Sequence, residues 1–520
     1  MIRAARYIVD VALALALALA LLGGAGIAEV PAMEHTVPRP ELRSSSGSPL
    51  LLEVILEEQP SDLQEIVVRT GSSTLRFDAP QLGRRSAASA GDPHVLTLTP
   101  FLEPGVYDLE VELVGDATTG RASYEVGFVD FVWGRDNFRF GNNADYESRI
   151  GDYSQVLSEW LEKRFGSISD AERALLVHYM YGLFGENPGR CYAFTGSQLR
   201  YYRNPDALPS YVDETYDIRM RSTRSQREMS ELQLDMVYDY FVAGGAPVAG
   251  QQSLLEVARE LVRIRERIAD GLPVVTGYIS PDLHHAMLVY GYILDRARGR
   301  VDLLVANNWK SGQDLNLRSV DAEVIRVDLP AAFIEWRTRE GPRRRSPQRM
   351  FIVPVRESYA HPREPLEALL DTRFSELRAA GREIITVENA AAAWIAGPDG
   401  RSTGYRGDHR RTGLDSVGFE RLKQTMLFDY PAGTELTLGF RPMEGEEVRL
   451  FHVAPGEADG AERGWITSVS PPAAARGSAA EREDPRARLL RLGPDGPVLL
   501  ERSGRRGDEG EPDDSDEEEQ

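Results

Sequence analysis

Asn187-Pro188-Gly189-Arg190-Cys191-Tyr192-Ala193-Phe194-Thr195-Gly196-Ser197-Gln198-Leu199 holds the single cysteine of the 520-residue chain. Pro188 and Gly189 end the preceding segment, and the residues from Cys191 onward can open a helix. A thiol at a helix N-terminus faces unpaired amide donors and the positive end of the dipole, which predicts a lowered pKa. Upstream, 153–165 and 170–184 carry apolar residues at three- and four-residue spacing, with Ser169 or Asp170 as cap of the second helix. Downstream, helices are expected over 226–242 and 254–268, the latter with Leu254, Leu255, Ala258, Leu261, Val262 and Ile268 on one face. Apolar strands follow at 273–279, 285–294, 301–309, 324–329 and 350–355. Helices first and strands second make an α+β layout over 142–357.

The flanks read differently. Residues 50–133 alternate in short runs between turns, the pattern of a β-sandwich. Residues 29–49, rich in Pro and Ser, read as a linker. A helical connector is expected over 358–382 and a β-rich domain over 383–469. Residues 470–520 read as linker, a possible short hairpin at 487–501 and a disordered acidic tail. The whole is multidomain, an α+β centre flanked by sandwich-like all-β domains.

Formal net charge is −21, and nine of the negatives lie in the last thirteen residues. That balance argues against nucleic acid and anionic lipid as partners, since phosphate contacts need clustered Lys and Arg. Arg3 and Arg6 precede an apolar core at 11–22 and small residues to Ala28, the build of a secretory signal peptide over 1–28. The mature protein is therefore expected to be secreted or periplasmic, with no membrane association after cleavage. One cysteine allows no intrachain disulfide, so an exported chain carrying it raises the prospect of chemical use.

A nucleophilic thiol needs a base, and the base needs an orienting group. His285 opens the run His285-Ala286-Met287-Leu288-Val289-Tyr290-Gly291-Tyr292, with His284 before it. The next strand ends Val305-Ala306-Asn307-Asn308-Trp309, with amides beside an aromatic. The order along the chain is Cys, His, Asn, with 94 and then 22 positions between them. No hydrolase elbow, Gly-rich phosphate loop or paired His with metal spacing stands elsewhere, so no cofactor and no metal is expected.

At these three places the chain resembles the papain family of cysteine peptidases, in a divergent bacterial form. The family's Cys-Trp-Ala-Phe-Ser run stands here as Cys191-Tyr192-Ala193-Phe194-Thr195. Its His-Ala strand leading to Gly-Tyr is matched by His285 to Tyr292, and its Asn-Ser-Trp by Asn307-Asn308-Trp309. The resemblance covers about two-fifths of the chain. It implies a Cys191–His285 pair, with Asn307 orienting the ring and Trp309 shielding that hydrogen bond. The implied reaction is hydrolysis of protein or peptide amide bonds through a thioester. The family's oxyanion Gln, six positions before the cysteine, is Gly185 here; Asn187 is the nearest amide, with Gln198 and Asn142 as substitutes. The β modules would bind cell-surface or extracellular ligands. Two other readings stand beside this one: a transglutaminase or cell-wall amidase reusing the thiol, and an inactive papain-like binding protein.

Overall fold

The computed structural model describes 41–499 apart from internal segments, the longer being 46–50, 57–61, 85–93, 139–152, 185–189, 247–251, 309–322, 457–462, 471–487 and 493–497. The expected signal peptide, Asn142, Gly185, Asn187, Trp309 and the acidic tail lie outside the described residues. Six helices stand among those described: α1 Tyr153–Phe165, α2 Asp170–Phe184, α3 Cys191–Arg203, α4 Thr223–Val237, α5 Leu254–Ala269 and α6 Arg363–Ala380. All strand pairings are antiparallel, in four sheets. No described helix is long and apolar enough to cross a membrane. The architecture is multidomain α+β with β-rich regions.

The chain divides into two units, 1–166 with 187–366, and 167–186 with 367–520. The first holds an 11-stranded sheet. Its organising member is the strand Leu283–Asp295. On one edge its residues 288–295 pair with Arg300–Ala306. On the other, residues 283–289 pair with Val274–Ser280, and residues 291–295 pair with Thr119–Phe128. One strand thus takes two successive neighbours along the same edge. The register shift that accompanies this handover falls between Val289 and Gly291.

A separate sandwich over 50–133 is expected from the alternation, but its strands are shared between two sheets. Glu41–Ser45, Leu51–Leu56, His94–Leu98 and Gly83–Arg84 form a four-stranded sheet of their own. Leu63–Thr70, Ser73–Asp78, Gly105–Gly115 and Thr119–Phe128 instead continue the 11-stranded sheet. The join rests on two glycines. A Cβ at Gly127 would stand 2.4 Å from the Tyr292 ring, and one at Gly291 would stand 2.8 Å from the Gly127 carbonyl oxygen. Glycine in a strand interior permits such an approach. The expected linker over 29–49 also contains a strand, because Glu41–Ser45 pairs with Leu51–Leu56.

The helices of the first unit start where local chemistry directs. Ser253 caps α5 in a reciprocal capping box with Glu256. The helix then lays Leu255, Ala258, Leu261 and Ile264 against the sheet. α4 ends at Val237 and passes into a π-helical stretch, Tyr238–Ala243, so the expected helix over 226–242 is present in two forms. Asp235 on α4 accepts from Trp160 Nε1 at 2.7 Å, from Arg164 at 2.9 Å and lies 2.8 Å from His361 Nε2. That carboxylate ties α1, α4 and the segment before α6 together.

The second unit is a two-sheet sandwich of five and six strands sharing one core, with Ile385, Phe428 and Leu450 from one sheet and Ile395, Phe440 and Leu490 from the other. The strand Arg488–Leu492 pairs with both Val498–Leu499 and Leu436–Pro442, so this hairpin belongs to the sandwich. α2 lies in this unit, although the expected domain over 142–357 includes it in sequence. Ser169 and Glu172 cap it reciprocally. His178 Nδ1 meets Thr386 Oγ1 at 3.0 Å, and Tyr181 donates to Glu388. A Cβ at Gly464 would stand 2.5 Å from Ala171 Cα, so that strand comes close beneath the helix start.

Gly127→Ala should therefore destabilise the first unit by about 1–3 kcal/mol, the usual cost of overpacking a filled site. Tyr292 cannot swing aside freely, because its hydroxyl donates to buried Glu125 at 2.7 Å. Denaturant titration of wild type and variant reads this directly. An unchanged midpoint would mean that the glycine approach does not hold the N-terminal strands to the sheet.

Candidate active site

Cys191 is the first residue of α3, after Arg190, which provides no side-chain cap. The cap function comes from α4 instead: Gln233 Oε1 accepts from Ala193 N at 3.0 Å, and Ser230 Oγ accepts from Arg190 Nε at 2.7 Å. α3 packs on the strands Val274–Ser280 and Leu283–Asp295. The Cys191 sulfur takes a hydrogen bond from the backbone N–H of Ala286, next in chain to His285, besides those of Tyr192 and Cys191 itself. Asn308 Nδ2 donates to the carbonyls of Cys191 and Ala286, at 3.1 and 3.2 Å, and so stitches the helix start to the histidine strand.

His285 is wholly buried. Its Nε2 lies 2.9 Å from Asn307 Oδ1. Of the two adjacent amides it is thus Asn307 that meets the ring, while Asn308 serves the backbone. Asn307 follows the strand Arg300–Ala306, whose last residue stands opposite Leu288, so the chain leaves that strand near the histidine end of its neighbour. Asn307 Nδ2 donates to Glu323 Oε2 at 2.7 Å, and Trp336 Nε1 donates to the same oxygen at 3.0 Å. The Trp336 ring lies over the imidazole, with centroids 5.8 Å apart and planes 24° apart. Trp336 thus covers one face of the His285 ring, while Trp309, expected to shield the His285–Asn307 bond, lies outside the described residues.

Glu323 and Trp336 carry no local sequence signal. Each sits at a β position surrounded by ordinary strand residues, and only pairing across three strands brings them to the ring. Gln233 was hidden for the same reason, because it lies 40 positions from the helix it caps. Gln198, weighed as an oxyanion donor, sits seven residues into α3, about 10 Å along the axis from Cys191. Its side chain is buried there and does not reach the helix start. Among the described residues no group of three His, Cys, Asp or Glu stands together for a metal.

The thiol departs from expectation in its electrostatics. Burial pushes Cys191 up to about 12, and the three backbone N–H donors only partly offset this. A helix N-terminus favours a thiolate when water also reaches it; here the sulfur is sealed, and desolvation of the anion outweighs the amide field. Burial thus favours the neutral thiol, and anion formation there would depend on a nearby group that takes its proton.

Comparison with known proteins returns no matching family model, no matching curated protein and no matching solved structure.

Folded Cys191 keeps its proton where the unfolded thiol, with a pKa of about 8.5, releases it. Unfolding free energy should then fall as pH rises from about 8.5 towards the folded value, by up to about 1.4 kcal/mol per pH unit, and this contribution should be constant below that range. Denaturation of the reduced protein across this range, beside Cys191→Ala, measures it. Identical pH dependence in both proteins would contradict a sealed thiol.

Proposed function

We propose that this chain is an exported papain-like cysteine hydrolase that cleaves amide bonds of protein or peptide substrates. The observation that carries the reading is the directed imidazole: His285 Nε2 is held by Asn307 Oδ1 at 2.9 Å, while the Cys191 sulfur sits on the backbone N–H of the residue after His285. In this reading Nδ1 is the ring atom that exchanges a proton with sulfur. The Cys191 proton passes to Nδ1, the sulfur attacks the carbonyl carbon, and an imidazolium and a tetrahedral oxyanion form together. Nδ1–H then protonates the leaving amine, which departs as the thioester is made. Water, losing its proton to Nδ1, hydrolyses the thioester and returns the thiol.

The oxyanion takes the backbone N–H of Cys191 and the Gln233 side-chain amide. Gln233 Oε1 accepts from Ala193 N–H, which places this amide at the first turn of α3. A side-chain amide of this kind contributes about 3–4 kcal/mol to the transition state. Burial of the thiol favours a second reading, a noncatalytic binding protein that keeps the constellation without using it. The amidase and transglutaminase readings share the first two steps and differ in the acceptor.

The test is iodoacetamide alkylation of Cys191 near neutral pH, together with amine release from a mixed peptide pool with and without an added primary amine. Wild type should alkylate and release amine. His285→Ala should slow alkylation on the order of 100-fold or more, because the isolated thiol is then almost wholly protonated. Asn307→Ala should lower kcat more than it raises KM. Product joined to the added amine would mark a transferase. Alkylation unaffected by His285→Ala, with no amine released, would leave only the binding protein.

A further inference from the structure

Glu323 is a buried carboxylate that the Cys191, His285 and Asn307 set does not itself include. It stands opposite Val305 in the pairing of Glu323–Asp328 with Arg300–Ala306, so Asn307 is its diagonal neighbour on the same face. One of its oxygens accepts both Asn307 Nδ2 and Trp336 Nε1. The two groups that hold the imidazole, the amide at its Nε2 and the indole over its face, are thus anchored on one atom.

The Trp336 indole N–H can only donate, and it and the Asn307 amide meet the same Glu323 oxygen, which accepts both. Whichever end of the Asn307 amide faces Glu323 must therefore be the NH2, and the end facing His285 must be the oxygen. That oxygen accepts, so His285 Nε2 must carry a proton. In the neutral ring the lone pair is then on Nδ1. The assignment of amide and tautomer, normally left open by heavy-atom positions, follows here from the chemistry of the third residue.

We propose that Glu323 is the positioning residue that locks His285 in its Nε2–H tautomer, acting through Asn307 and Trp336. The proposal rests on the hydrolase reading only for its purpose; the tautomer lock itself is a property of the resting protein. Without the carboxylate, the Asn307 amide has no reason to prefer one orientation, and turned over it would present NH2 to the ring. Nε2 would then become the acceptor and Nδ1 the protonated atom. A ring in that state cannot take a proton from sulfur at Nδ1.

The experiment is long-range proton–nitrogen correlation spectroscopy on the full chain with nitrogen-15 histidine, His285 being assigned by the signals lost in His285→Gln. Wild type should show a single neutral Nε2–H tautomer. Glu323→Leu should show both tautomers and slow Cys191 alkylation about tenfold or more, the scale of losing a correctly disposed base. Glu323→Gln, whose amide oxygen can still accept from Asn307 and Trp336, should restore the single tautomer and most of the rate, which a mere loss of packing would not predict. A wild-type ring protonated at Nδ1 overturns the proposal whether or not any variant folds. So does a folded Glu323→Leu protein that retains the wild-type tautomer and rate. If the protein hydrolyses nothing but the tautomer responds as expected, the hydrolase reading fails and the positioning role stands.

Discussion

The first unit depends on one strand being longer than any single neighbour on one of its edges. Leu283–Asp295 has 13 residues, and Val274–Ser280 pairs with only its first half. The unpaired second half would leave a row of open backbone donors and acceptors in a buried place, which is costly. Thr119–Phe128 fills that edge. Glycine is required on both sides of the contact, at 127 and 291, because side chains there would strike Tyr292 and the opposing carbonyl. His285 itself lies in the first half of that strand, opposite Tyr278 of Val274–Ser280, while Arg300–Ala306 takes up the other edge from Leu288 onward.

Around that strand the site is assembled by pairing. The strand Arg300–Ala306 delivers Asn307, the next strand delivers Glu323, and the one beyond delivers Trp336. Their hydrogen bonds run from ring to amide to carboxylate, with the indole closing on the same carboxylate. From the other side, α3 brings the sulfur to the Ala286 N–H, and Asn308 bonds the carbonyls of both partners. The hydrogen bonds His285–Asn307, Asn307–Glu323 and Trp336–Glu323 each join side chains from different elements, so loss of one is felt by the others.

Burial has opposite effects on the two reacting groups. It strengthens the His285–Asn307 hydrogen bond by excluding water. It also raises the Cys191 thiol far above its ordinary value, since no solvent stabilises the anion. A thiol in that setting is quiet until its proton has a destination. On the proposed hydrolase reading, the chemistry would rest on the imidazole rather than on the helix dipole.

Short-range patterns determined much of this protein. The 3.6-residue spacing in 153–165, 170–184 and 254–268 marks helices that the structure contains, and the β-rich region expected over 383–469 contains strands. Cys191, His285 and Asn307 were legible as a set because each lies in a local run with its own turn or strand signal. The two-sheet assembly of the C-terminal region was only half legible, since the hairpin at 488–499 reads as an appendage until Leu436–Pro442 is seen beside it. Partnership across the chain was not legible. The amphipathic pattern of α2 says that it buries a face but not that the face meets Thr386 and Glu388, about 200 positions away. Glu323 and Trp336 look like ordinary strand residues until register stacks them on His285. The sign of the Cys191 shift also belongs to the tertiary structure. A helix start is a local feature and sequence reveals it, whereas the exclusion of water that reverses its effect is produced by every element packed around the sulfur.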